Sequence, residues 1–167
     1  MKKIVFLLIS VVIGILVYQK NDEIIIPSDS IRVRIIANSN NIEDLYKKKK
    51  IKEEIKKDLY DLVKDVSNSE EAGKSIENNL DKINNLVSSK TNDFNITYGM
   101  NYFPKKTYKG VLYNAGNYNS LVITLGKGLG ENWWCVLYPP LCMIDDNETT
   151  TDVEYRSFVL DMLHNWH

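Results

Sequence analysis

The spacing of apolar residues changes several times along this chain, and each change marks a new element. Ile4 to Tyr18 is an almost unbroken apolar run, followed by a polar stretch from Gln19 to Ser30 that contains Pro27. Ile31, Val33 and Ile35 then alternate with Arg32 and Arg34, the period of a half-buried strand. Asn38-Ser39-Asn40-Asn41 stops that strand and offers capping side chains to a helix. Ile51, Ile55, Leu59, Leu62 and Val66 recur at three- and four-residue spacing, which predicts one amphipathic helix. Ser67 and Glu70 have capping-box spacing for a second helix, whose stripe is Ala72, Ile76, Leu80, Ile83 and Val87.

The period then falls to two. Phe94, Ile96, Tyr98, Met100 and Tyr102 alternate with polar residues up to Pro104. A turn at 114–117 leads into a strand from Tyr118 to Leu125, and Gly126-Lys127-Gly128-Leu129-Gly130 turns the chain into another from Trp133 to Tyr138. Phe158, Met162, Leu163 and Trp166 lie on adjoining turns of a short terminal helix. The expected fold is α+β: a first strand, two helices, a mainly antiparallel sheet and a short C-terminal helix.

The N-terminal run begins Met1-Lys2-Lys3, the form of an export signal. About 15 helical residues cover roughly 22 Å, short of the roughly 30 Å of a bilayer's hydrocarbon core. No small-x-small cleavage pair ends it, so residues 1–20 are expected to be a signal peptide or a short membrane anchor attached through residues 4–18. Residues 21–30 read as a linker, and 31–167 as one extracytoplasmic domain.

The 167 residues carry a net charge of −1, which gives no global reason to expect nucleic acid as a partner. Lys47 to Lys50 are four consecutive lysines, but Glu53, Glu54 and Asp58 follow within two turns, the pattern of a solvated helix face. The glycine loop is not followed by a helix, nor Lys127 by Ser or Thr, so it predicts a positive-φ turn and no nucleotide site. No cofactor, metal or catalytic set is dictated by any spacing.

Cys135 and Cys142 are the only cysteines, and in an exported protein a disulfide is the first expectation. Fully extended, their Cα atoms would lie about 23 Å apart against the roughly 7 Å limit of a disulfide, so Pro139-Pro140 would have to reverse the chain. A pair of buried thiols is one alternative. A reactive Cys135 with His164 or His167 as base, making an extracytoplasmic thiol enzyme, is the other. Strand alternation puts Trp133, Cys135 and Leu137 on one face and Trp134, Val136 and Tyr138 on the other. Such a strand is either buried on both sides or turned toward a partner; stacking on cell-wall glycan is a further use of these rings.

The segment Gly126 to Cys142, with its Asn132-Trp133-Trp134-Cys135 and Pro139-Pro140-Leu141-Cys142 elements, resembles the signature of the stage II sporulation protein R family. Ile31 to Ser39 and Tyr118 to Leu125 are similar to it as well; Tyr138 stands where Phe is usual and Asn114 where Pro is common. The resemblance implies that 31–167 is a signalling domain, made in the forespore and exported into the space between the two septal membranes. There it would activate a membrane-embedded aspartic protease that processes a mother-cell pro-sigma factor. It supplies no catalytic residues. Asn132, Trp133, Trp134 and Tyr138 are the expected contacts with the protease.

Overall fold

A computed structural model describes residues 24–143 and 151–165. The expected export segment (1–20), residues 21–23 of the expected linker, Trp166 and His167 lie outside the described residues.

Strand β2 (Ile31–Ile36) leads through helices α1 (Ile42–Val63), α2 (Ser69–Asn78) and α3 (Leu80–Ser88) to β3 (Phe94–Phe103). Asn41 caps α1, its side chain accepting from the Asp44 N–H at 2.7 Å. The second helical stripe is split in two. Asn79 interrupts it, its amide donating to the Ser75 carbonyl at 2.8 Å, the competition with helical hydrogen bonding that disfavours Asn inside helices. The expected Ser67/Glu70 capping box is displaced by one residue. Asn68 accepts from the Glu71 N–H, while Glu71 accepts from the Ser67 N–H.

After β3 come β4 (Lys106–Tyr108), β5 (Val111–Tyr113), β6 (Gly116–Leu125) and β7 (Asn132–Tyr138), then a 3-10 turn (Leu141–Met143) and helix α4 (Asp152–His164). The main sheet has the order β3-β6-β2-β7. The outer pairs are antiparallel, but the central β2–β6 pair is parallel, with Arg32 beside Ser120 and Ile36 beside Thr124. The α+β class holds; the sheet is mixed. A parallel neighbour needs a long crossover, and the three helices with β3 form it.

Each face of this sheet has its own core. Ile31, Val33, Ile35, Leu121 and Ile123 pack beneath α1–α3, against Ile51, Ile55, Leu59, Ala72 and Ile76 among others. On the other side a second cluster joins Val136 and Leu141 to Val111, Tyr155, Val159, Ile24 and Ile26. This cluster is built on a small sheet of order β1-β5-β4, where β1 (Ile24–Ile25) runs parallel to β5. The expected linker is therefore part of the fold from Ile24 onward: Ile24 is 5% and Ile26 1% exposed. Their apolar side chains sit in too short a run, beside Pro27, to signal a strand by periodicity.

Cys135 and Cys142 form a disulfide, with Cα atoms 5.5 Å apart. It ties the 3-10 turn back onto β7, on the helical side of the sheet. Replacing both cysteines by Ala is expected to lower stability by about 2–5 kcal/mol, read from denaturant melts under non-reducing conditions. Two free thiols in the purified protein, found by non-reducing peptide mapping, would contradict the pairing.

Candidate functional site

The glycine loop and the end of β2 interlock, and together they fix where β7 begins. Gly126 and Gly128 have φ of 53° and 64°, the positive-φ turn expected. The Asn38 side-chain oxygen accepts from the Lys127 N–H at 2.9 Å, and the Asn38 carbonyl from the Leu129 N–H at 3.0 Å. Gly130 has a different reason to be glycine: a Cβ there would lie 2.3 Å from the Ser39 carbonyl oxygen. The loop is occupied by its own protein, so it cannot cradle a phosphate.

Anchored this way, β7 pairs on one side with β2 and has no strand on the other among the described residues. It is an edge strand covered partly on both faces, and Trp133 and Trp134 are half-buried. Trp133 packs against the helical core, 5.8 Å from the Lys52 ammonium to its ring centroid. On the opposite face, Trp134 meets Phe103 edge-to-face at 5.1 Å and carries the Arg34 guanidinium at 4.4 Å. Arg34 also donates from Nε to the Asn132 side chain at 2.9 Å.

Trp134 forms one wall of a cavity of about 330 Å³. Asn132, Trp133, Cys135 and Val136 of β7 also line it. Phe103, Tyr108, Tyr113 and Tyr155 contribute from other elements, and Lys105 and Lys106 from the approach to β4. The Tyr113 and Tyr155 hydroxyls are hydrogen-bonded at 2.5 Å.

Arg32 closes this cavity from the centre of the sheet. It is 3% exposed, its guanidinium carbon 3.5 Å from the centroid of Tyr118 and 5.4 Å from that of Phe103. Its Nε and Nη2 are buried without a hydrogen-bond partner. Burial pulls its pKa below the ordinary arginine value, with the Tyr118 and Tyr113 hydroxyls acting in the opposite direction. The expectation of a half-buried β2 with both arginines on a solvated face fails here. β2 is central, its second face roofed at Arg32 by aromatic rings.

Of the four expected contact residues, Asn132, Trp133 and Trp134 converge on the cavity. Tyr138 does not. A bulge makes Ile31 pair with Tyr138 while Arg32 pairs with Val136, which turns Tyr138 onto the helical side. It is 4% exposed there, and its hydroxyl donates to the Val66 carbonyl at 3.5 Å. A buried Tyr138 offers no rim to a partner. Cys135, held in the disulfide, has no thiol for the enzyme considered above. The pocket residues missed from sequence include Arg32, Phe103, Lys105, Lys106, Tyr108, Tyr113 and Tyr155. Only Arg32 left a signal, as a cation inside the apolar segment Ile31–Ile36.

The family model for "Stage II sporulation protein R (spore_II_R)" matches residues 27–148, most of the chain. The chain belongs to the stage II sporulation protein R family. It is 36% identical over 132 residues to the Stage II sporulation protein R of Bacillus subtilis (strain 168), covering 75% of this chain. The aligned stretch spans 59% of that relative's length. No solved structure matches. The family match takes in β2, helices α1–α3 and both sheets except β1, so it includes Arg32 and all of β7 and stops before α4. The family is one of sporulation proteins, and the signature segment read from sequence corresponds to the interlocked glycine loop, β7 and the disulfide turn.

Proposed function

We propose that this protein is an exported sporulation signal, made in the forespore and released into the space between the septal membranes. There it activates a membrane-embedded aspartic protease of the mother cell, which removes the pro-sequence of a sigma factor. Activation acts by binding, favouring the protease state that cleaves; this requires a higher affinity for that state. Membership of a sporulation family supports the setting. The observation that carries the binding role is the aromatic cavity of β7. It gathers Asn132, Trp133 and Trp134 near a buried arginine, and Trp and Arg are over-represented at protein–protein hot spots. Among the described residues no group of His, Cys, Asp and Glu could hold a metal ion, and no helix is long and apolar enough to cross a membrane.

The test is genetic. Sporulating cells lacking the gene should accumulate unprocessed mother-cell sigma precursor, and a copy supplied in the forespore should restore cleavage. Normal processing in the deletion strain rejects the proposal.

A further inference from the structure

We propose that the cavity around Arg32 is a receptor for one acidic side chain carried on an extended peptide segment of a partner protein. This deepens the activator reading and rests on it only for the identity of the partner.

The first argument is the state of Arg32. A buried guanidinium without a carboxylate or carbonyl partner is costly to the fold, and two of its nitrogens, Nε and Nη2, are in that condition. Its planar donor fork matches a carboxylate. The side chain lines a cavity of about 330 Å³, the space in which an acceptor would sit once the guanidinium turns Nε and Nη2 toward it.

The second argument is charge. Among the described residues that line the cavity none is Asp or Glu, while Lys105 and Lys106 are present and attract an anion toward Arg32. The surrounding aromatic rings exclude water from that ion pair and raise its strength.

The third argument is shape. Five consecutive residues, Asn132 to Val136, line the cavity. Neighbouring strand residues point to opposite faces, so a cavity that touches all five reaches the backbone of β7 as well as its side chains. β7 is the outer strand of the main sheet and β4 the outer strand of the small one. An opening bordered by a strand edge suits an extended chain, which adds main-chain hydrogen bonds while alternate side chains enter pockets. A free small carboxylate would use Arg32 but not the edge.

Three probes decide this, applied to the full chain in detergent micelles. They are a blocked heptapeptide of alternating valine and threonine with a central glutamate, its glutamine twin, and phenylacetate. The glutamate peptide is expected to bind at least tenfold more tightly than the twin and than phenylacetate. Arg32→Met should abolish the discrimination with its melting temperature unchanged or raised, since an unpaired charge gives way to an apolar side chain. If that variant fails to fold, Lys105→Glu with Lys106→Glu, at exposed positions, should weaken the glutamate peptide several-fold while leaving the melt in place. Equal affinity of the twins, including no binding by either, overturns the proposal. Phenylacetate as tight as the peptide overturns the peptide assignment in favour of a small-molecule site. The two readings fail separately. A folded Arg32→Met chain that binds no peptide yet restores precursor processing removes the protease as the pocket's partner and leaves the activator role standing. A deletion strain that processes normally removes the activator role and leaves the peptide site.

Discussion

A chain cut to begin at Pro27 is expected to be less stable than one beginning at Asn21 by roughly 3–6 kcal/mol, since two isoleucines lose burial worth about 1.5–3 kcal/mol each. Ile24 and Ile26 are both in the second core, where they meet Val111, Val136 and Tyr155. The cut also removes the strand β1 that flanks β5, and with it the hydrogen bond from the Ile26 N–H to the Leu112 carbonyl at 3.2 Å. Small domains are stable by about 5–15 kcal/mol in total, so the shortened chain should lose much of its folded population. Urea melts of the two chains measure the difference. Equal midpoints and slopes would show that residues 24–26 contribute nothing to the core.

The two tryptophans should separate stability from signalling. Trp133 packs against the core beneath the helices, so Trp133→Ala should cost about 2–4 kcal/mol, below the 3–5 of a fully buried aromatic. Trp134 makes an edge contact with Phe103 and a cation–π contact with Arg34. Their loss should cost only about 1–2 kcal/mol. Because Trp134 forms a wall of the Arg32 cavity, Trp134→Ala should nevertheless abolish processing of the sigma precursor, the behaviour of a hot spot. Melting curves and precursor processing, measured on both variants, give the answer. Trp134→Ala chains that fold and still support processing would place the activating surface elsewhere.

The elements with a clean period were legible in the sequence. β3, β6 and β7, the long helix and the terminal helix all lie where alternation or a helical stripe put them. The disulfide followed from a lone pair of cysteines in a chain whose start has the form of an export signal. What periodicity could not supply was neighbourhood. The β2 pattern reads as half-buried because arginine is normally solvated, yet parallel pairing with β6 placed β2 in the middle of the sheet and buried Arg32. Short strands of two or three residues, β1, β4 and β5, carry too few positions to show a period. They nonetheless build the second core and the far wall of the cavity.

The same limit governed the site. Asn132, Trp133 and Trp134 were legible because rare aromatic residues stand together in one strand. Tyr138 was misplaced because one bulged residue reverses the side on which everything beyond it lies, and a bulge leaves no mark in alternation. Phe103, Tyr108, Tyr113 and Tyr155 come from four different elements, and only the folded chain brings them together. The glycine loop is legible as a turn, but the tightness at Gly130 depends on a backbone oxygen of Ser39, distant in sequence.

The central claim is that this chain switches on a protease by binding it, and reconstitution tests that most directly. This chain, the membrane-embedded aspartic protease and the sigma precursor would be produced together in a host that does not sporulate. Cleavage of the precursor would then be followed by immunoblot. The account predicts shortening of the precursor only when all three are present, and none when the catalytic aspartate of the protease is replaced. Equal cleavage with and without this chain, or no cleavage in its presence, would contradict it.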